Sequence, residues 1–306
     1  MRGVCLAILL AGSSILATGQ IHVTGMQQLP LPAGEGWMCP GWAPDGRAIF
    51  LTAAQYRGLY RYDVATGTLA QITDASGAGY GWAVSPDGSQ IAYRKTLDGS
   101  IPGERTQEIV RQNLVSGLSS VMARGTSVDL PVFAGNALVT NDAGRGYMPL
   151  ADNDVPAVHA SVLGIENTKI VLLLDGVKKL LDPFGNGSYV WPALSPDRTR
   201  LVAYDMARGA FVCDVQGNGV VRLGRIDAPA WTRSGAWIIA MHEQNDGHAI
   251  TGSDLVATSP DGRVSVQLTH APVVALAPAC SPVDNRIVCA TTDGNVLILT
   301  YEETGR

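Results

Sequence analysis

The residues best suited to chemistry lie close together in one segment, which contains His242, Glu243, Asp246 and His248. Imidazole nitrogens and carboxylate oxygens are ligands that zinc and related metal ions accept. The spacing of these residues matches no rigid metal-binding motif, and a solvated polar loop is the alternative interpretation. His242, Asp246 and His248 are therefore candidates for a metal site, and the sequence predicts no cofactor.

Sequence motifs for catalysis are missing elsewhere. The chain has no Gly-x-Ser-x-Gly, no Cys-x-x-Cys, no His-Glu-x-x-His and no glycine-rich phosphate loop followed by a helix. Its 306 residues are 46% hydrophobic and carry a formal net charge of -5, which excludes intrinsic disorder and argues against a nucleic-acid partner. A binding role is therefore favoured over an enzymatic one.

The first residues predict export from the cytoplasm. Arg2 precedes the apolar stretch 4–11, and the small residues Ala17 and Gly19 follow it. This stretch is too short to span a bilayer, and the pattern is typical of a signal peptide over residues 1–19 that is cut before Gln20. An uncleaved anchor or a buried strand is the alternative. The mature chain, residues 20–306, is expected to act in the periplasm or outside the cell, with no membrane span.

The elements that must position any site follow from an internal repeat. Most copies have a proline, an apolar residue two positions on, a short turn and then Ile, Leu or Val; the copy at 82–88 has Trp82 in place of this proline. The clear copies lie at residues 40–46, 82–88 and 192–197, and degenerate copies lie at 131–136, 229–235 and 278–282. Pro-Asp-Gly fixes φ, supplies a side-chain acceptor and tolerates positive φ, so each copy predicts a hairpin. A second hairpin follows in several copies, which gives four strands per repeat.

This repeat resembles that of the PD40, or TolB-like, family of β-propellers. The resemblance implies an all-β fold of one six-bladed propeller domain, with blades starting near Met38, Tyr80, Asp129, Val190, Asp227 and Leu276. The chain stops one strand short in the last blade, so residues 21–29 are expected to supply the missing outer strand and close the ring. The third blade is the least regular, because residues 141–168 interrupt it.

The predicted binding site lies on the face where the innermost strands begin. Three long loops between second and third strands, residues 94–107, 141–168 and 241–253, are expected to project from this face, where loops commonly carry function. The candidate residues at the channel mouth are Trp37, Tyr80, Trp82, Asp129, Tyr189, Trp191 and Asp227. Aromatic rings beside carboxylates suit a protein, peptide or glycan ligand. The alternative for each aromatic residue is packing between blades, and we expect truncation of Trp191 to cost stability but that of Tyr80 or Asp129 to cost little.

Two further expectations stay open at this point. Cys280 and Cys289 fall on one hairpin, where they form either a cross-strand disulfide or two free thiols, whereas Cys39 and Cys213 lie too far apart to pair.

The alternative function is a glycan-active lyase or hydrolase, because the oligogalacturonate lyases, which the repeat also resembles, hold a metal through several histidines near the channel. This chain has five His.

Overall fold

A computed structural model describes residues 20–98, 105–142, 146–149, 159–245 and 250–304. The predicted signal peptide, Asp246 and His248 lie outside the described residues. Within them, no helix is long and apolar enough to cross a membrane. The only helical element in these ranges is a short 3-10 turn, Ala54–Tyr56.

The strands form antiparallel sheets in chain order. Sheet 1 contains β2 (Met38–Trp42), β3 (Ala48–Ala53), β4 (Arg57–Asp63) and β5 (Leu69–Thr73). Sheet 2 contains β6 (Ala83–Val84), β7 (Gln90–Asp98), β8 (Arg105–Asn113) and β9 (Ser119–Gly125). Sheet 3 contains β10 (Val132–Ala134), β11 (Ala137–Asp142) and β12 (Gly146–Pro149), and sheet 4 contains β13 (Ala160–Glu166), β14 (Lys169–Leu174) and β15 (Val177–Leu181).

The second half of the chain continues this pattern. Sheet 5 contains β16 (Tyr189–Leu194), β17 (Arg200–Asp205), β18 (Gly209–Asp214) and β19 (Val221–Gly224). Sheet 6 contains β20 (Asp227–Trp231), β21 (Ile238–Asn245), β22 (Ile250–Thr258) and β23 (Ser265–Gln267). Sheet 7 contains β24 (Ala275–Cys280), β25 (Arg286–Thr291), β26 (Val296–Thr304) and, as its outermost strand, β1 (Gln20–Gln28).

The predicted ring closure is confirmed. β1 pairs antiparallel with β26 from Gln20 opposite Thr304 to Gln28 opposite Leu297. Ile21 is buried between sheets 6 and 7, and Leu29 is buried between sheets 7 and 1. Every neighbouring pair of sheets shares a buried apolar cluster, including sheets 7 and 1. The sheets therefore form a closed ring, as expected for a propeller.

Each of the six predicted blades is present, but the third needs a correction. Its residues form two three-stranded sheets, 3 and 4, instead of one sheet with a long loop. Residues 160–166, which the sequence placed in that loop, form β13, which packs between the innermost strands β10 and β16. The reason is that β13 lacks the proline and Pro-Asp-Gly markers, so no local signal indicated a strand there.

The Pro-Asp-Gly turns form as their chemistry predicts. Asp87 accepts hydrogen bonds from the Ser85 hydroxyl (2.5 Å) and the Ser89 amide (3.0 Å), while Gly88 has a φ of +71°. The bond from Ser85 holds the pKa of Asp87 below its usual value. Asp197 makes the matching bond with Ser195 at 2.5 Å. These turns fix the ends of β6 and β16 and so position those parts of the channel wall.

The four cysteines that the structure describes, Cys39, Cys213, Cys280 and Cys289, are free thiols. Cys280 lies opposite Ile287 in the sheet, so the disulfide with Cys289 is not formed. Cys289 is buried in the sheet 6–7 cluster, and this burial raises the pKa of its thiol to about 12. A protonated, buried thiol behaves as a small apolar side chain.

Candidate functional site

Two faces of the ring offer possible sites. We call the face at which the innermost strands begin the entry face; Tyr80, Asp129, Trp191 and Asp227 lie there. The opposite face carries the turns from the innermost to the second strands, such as residues 195–199, and we call it the turn face. All seven predicted mouth residues belong to the beginnings of innermost strands or to the segments just before them.

Two of the predicted mouth residues are buried and take part in packing. Trp37 is only 3% exposed, donates its indole N–H to the Pro32 carbonyl (2.8 Å) and packs edge-on against Tyr60. Tyr189 is 1% exposed and donates its hydroxyl to Asp182 at 2.6 Å. Neither ring faces a ligand at the mouth. The packing alternative is therefore the one the structure supports for both.

Trp82 is partly buried at the boundary between sheets 1 and 2. Its ring lies 5.3 Å from that of Phe50, and it covers Gly41 so closely that a Cβ there would come within 2.6 Å of the indole. Gly41 is thus required for this contact. Trp82 holds the two sheets together and exposes only part of its ring.

Tyr80 and Trp191 remain open to solvent, with 48% and 47% of their surface exposed. Tyr80 packs edge-on against Tyr56 at 5.0 Å, and the Arg94 guanidinium lies 5.8 Å from its ring centre. Trp191 contacts Tyr204 at 5.6 Å. Both rings are oriented by aromatic neighbours and keep area available for stacking.

The exposure of Trp191 follows from a repeated backbone feature. In four innermost strands a bulge places a non-glycine residue with a φ of 48° to 52° directly before a proline: Cys39, Trp191, Ala228 and Ala277. Gly81 holds the equivalent position before sheet 2 with a φ of 73°. Such strained backbone needs surrounding structure to hold it. The bulge breaks the alternation of the strand, so Trp191 is exposed while Tyr189 is buried.

We expect Tyr80→Ala, Asp129→Asn and Trp191→Ala each to lower the free energy of unfolding by about 1 kcal/mol or less, because all three residues are exposed and none belongs to a buried cluster. For Trp191 this replaces the larger cost predicted from the sequence. Urea unfolding of the three variants and the parent measures these free energies. If Trp191→Ala lowered the free energy of unfolding by more than about 3 kcal/mol, Trp191 would contribute to stability as a core residue does, through its contact with Tyr204.

Carboxylates gather on the entry side of sheet 6. Asp227 is partly buried, and this burial raises its pKa, while His242 and Arg225 act in the opposite direction. Burial also raises the pKa of Glu243, and the nearby Asp227 charge adds to the effect. His242 is exposed and lies opposite Asp254 in the sheet. Within the described ranges, no group of three His, Cys, Asp or Glu side chains is placed to hold a metal ion.

Sheet 2 carries the opposite charge. Lys95, Glu108 and Arg124 lie side by side on β7, β8 and β9. Glu108 is 1% exposed, with Lys95 at 2.9 Å on one side and Arg124 on the other. Two cations surround one anion, and Arg94 lies nearby with its guanidinium donating to the Val128 carbonyl at 2.7 Å. The hairpin of sheet 2 therefore presents positive charge, and that of sheet 6 presents carboxylates.

Glu108 gives a prediction about pH. Its hydrogen bond from Lys95 lowers its pKa despite its burial, so the folded state holds the proton less tightly than the unfolded chain. The stabilisation is therefore complete above the ordinary pKa near 4.5 and is lost as the pH falls through the lower folded value. Glu108→Gln should lower the free energy of unfolding by about 2–3 kcal/mol at pH 7. Breaking a fully buried ion pair would cost more, but here Arg124 is mostly exposed to solvent. Urea unfolding at pH 7 and pH 3 should show a smaller pH dependence in the variant than in the parent.

None of the protein-family models matches the chain, and no curated protein matches its sequence. Solved structures match its fold. TolB from Acinetobacter baumannii aligns with a TM-score of 0.57 and 19% identity over 82% of this chain, and the Swd1 β-propeller domain of Myceliophteria thermophila Cps50 aligns with a TM-score of 0.61 and 10% identity over 92%. The chain is a β-propeller.

The extent of these matches differs. The alignment covers 58% of the TolB chain, less than two thirds of its length, but 99% of the Swd1 domain. An oligogalacturonate lyase in complex with manganese also aligns, with a TM-score of 0.50 and 13% identity, over 86% of this propeller and 76% of the lyase. At these identities the matches establish the shared fold, and a function must be argued from this chain's own residues.

The sequence did not reveal a contact that recurs between neighbouring sheets of the propeller. Trp42 and Trp231 end their innermost strands and donate the indole N–H to a carbonyl of the preceding sheet, Ala279 at 3.1 Å and Ala193 at 3.0 Å. A guanidinium of that preceding sheet covers each indole, Arg286 at 4.6 Å and Arg200 at 4.9 Å. The available signal was an Arg at the start of the second strand, one position before Leu201 or Ile287.

Proposed function

We propose that this protein is an extracytoplasmic binding propeller that holds a protein or peptide partner on its entry face. The observation that carries the proposal is the pair of extended hairpins on that face. Strands β7 and β8 have 9 residues each, and β21 and β22 have 8 and 9, whereas β17 and β18 have 6 each. Most of the residues expected to form loops 94–107 and 241–253 are thus ordered strand.

The two hairpins differ in charge and lie in different sheets of the ring. Arg94, Lys95 and Arg124 accompany the sheet 2 hairpin, whereas Asp227 and Glu243 accompany that of sheet 6. The exposed rings of Tyr80 and Trp191 lie on the same face. Rigid aromatic surfaces beside charges of both signs suit a polypeptide, which carries both signs and apolar side chains. The PD40 resemblance and the signal peptide predicted over residues 1–19 support a binding role outside the cytoplasm.

The test uses labelled protein on peptide and glycan arrays. Peptide binding should weaken about tenfold or more for Tyr80→Ala or Trp191→Ala, because exposed aromatic residues dominate such interfaces. Leu118→Ala is the matched control, since Leu118 is 75% exposed in the turn between β8 and β9 on the turn face. Its binding should equal that of the parent.

Two outcomes would overturn the proposal. Equal losses for Leu118→Ala and Trp191→Ala would remove the entry face as the binding surface. Turnover of a glycan that stops when a chelator is added would favour the glycan-active enzyme instead. Melting curves of each variant separate a loss of binding from a loss of folding.

A further inference from the structure

A cavity of about 510 Å³ opens at the turn-face end of the channel. It lies between the ends of β16, β20 and β24, on the opposite side of the ring from the proposed partner site. Its wall consists mainly of four prolines, three alanines and Trp231, with Cys280 beside them and Thr232, Arg233 and Ser281 as polar members. This volume lies within the range of sites for small molecules.

The cavity results from a small side chain at one position of the repeat. Trp42, Trp231 and Cys280 are equivalent, because each ends its innermost strand opposite an isoleucine of the next strand. The Cys280 thiol points at the carbonyl of Ala230, 4.0 Å away, as the two indoles point at Ala279 and Ala193. A thiol fills far less space than an indole. The boundary between sheets 6 and 7 therefore retains a space next to Ala230 and Ala279.

The lining restricts the chemistry of an occupant. Four prolines have no N–H, so the wall offers few donors to the carbonyl groups of a peptide chain. The Thr232 hydroxyl is bonded to the Trp237 carbonyl, and the Ser281 hydroxyl accepts from the Val283 amide, so both have partners within the protein. The wall is thus largely apolar, and apolar groups are its natural contents.

Among the lining residues that the structure describes, Arg233 is the charged one, and none of them carries a carboxylate. Arg233 is exposed at the rim. Nearby Asp284 is already bound by Arg286 through both carboxylate oxygens, each 2.9 Å from the guanidinium Nε. The charge of Arg233 helps to lower the pKa of Asp284, after the hydrogen bonds that Asp284 accepts from Arg286 and Ser281, but the ion pair that Asp284 forms among the described residues is with Arg286. The guanidinium of Arg233 is therefore available to a carboxylate from outside the protein.

We propose that this cavity binds a small aromatic or aliphatic monocarboxylate, with the apolar group against the prolines and Trp231 and the carboxylate on Arg233. This site is separate from the entry face and does not depend on the function proposed for that face. It requires a ligand with one anionic end and without amide groups.

The experiment is calorimetric titration of the full chain with 3-phenylpropanoate, and with 3-phenylpropanol as the uncharged counterpart. Binding of the acid should be saturable and at least about tenfold tighter than that of the alcohol, since a charge-assisted hydrogen bond contributes about that much. Arg233→Met should weaken binding of the acid by the same factor and leave that of the alcohol unchanged. Arg263→Met, which removes an exposed cation on the turn between β22 and β23, is the matched control and should bind as the parent does.

Filling the cavity provides a second test. Cys280→Trp places at this position the residue found at Trp42 and Trp231, and it should abolish binding of both compounds. If this variant does not show a cooperative melt, Ala230→Val reduces the same space with a smaller side chain and should weaken binding. Absence of saturable binding to the parent, equal affinity for acid and alcohol, or equal losses for Arg233→Met and Arg263→Met would overturn the proposal. Tighter binding of a peptide that ends in phenylalanine than of the free acid would also overturn it.

Discussion

Deleting residues 20–29 is expected to lower the melting temperature by roughly 10 °C or more, or to abolish the cooperative transition. The deletion removes β1, the outermost strand of the sheet that ends the chain, and leaves the edge of β26 unpaired. It also removes Ile21 and Leu29, which are 3% and 4% exposed in two different core clusters. An unpaired edge additionally favours association between chains.

Point variants separate the side chains of β1 from its backbone. Ile21→Ala should cost about 2–5 kcal/mol because it empties a buried site. Gln27→Ala, on the exposed side of the same strand, should cost less than about 0.5 kcal/mol and is the control. Differential scanning calorimetry and size-exclusion chromatography of the deletion, the two point variants and the parent measure both effects. An unchanged melting temperature in the deletion would contradict closure of the ring by this strand.

Truncation of Trp231 is expected to have the largest effect of any single substitution considered, about 3–5 kcal/mol for Trp231→Ala. The indole is only 7% exposed and joins sheets 5 and 6. Its N–H is bonded to the Ala193 carbonyl, and Arg200 covers its ring while donating to the Gly235 carbonyl at 3.2 Å. The substitution thus removes packing, a hydrogen bond and a cation–π contact together.

The contributions at Trp231 can be separated. Trp231→Phe keeps an apolar ring and should cost about half as much, and a double-mutant cycle with Arg200→Met should give a coupling energy of about 0.5–2 kcal/mol. Trp191→Ala is the matched control, because it removes the same side chain from an exposed position. Equal losses at Trp231 and Trp191 in urea unfolding would contradict the role assigned to the buried indole.

Local sequence signals were sufficient for the repeated hairpins and for ring closure. The Ser-Pro-Asp turns depend on residues within five positions of one another, as the bonds of Asp87 to Ser85 and Ser89 show. Closure by the N-terminal strand followed from counting strands, because an unpaired sheet edge needs a partner. The division of the third predicted blade did not follow, since β13 carries none of the turn residues that mark a strand.

The tertiary structure decided which side chains are available to a ligand. Tyr189 and Trp191 are two positions apart and similar in type, yet a bulge between Val190 and Ala193 leaves one buried and the other exposed. The cavity at Cys280 depends on side chains from three sheets, so no local pattern predicts it. Turn formation is governed by interactions between near neighbours in the chain, whereas exposure and cavities depend on contacts between residues far apart in sequence.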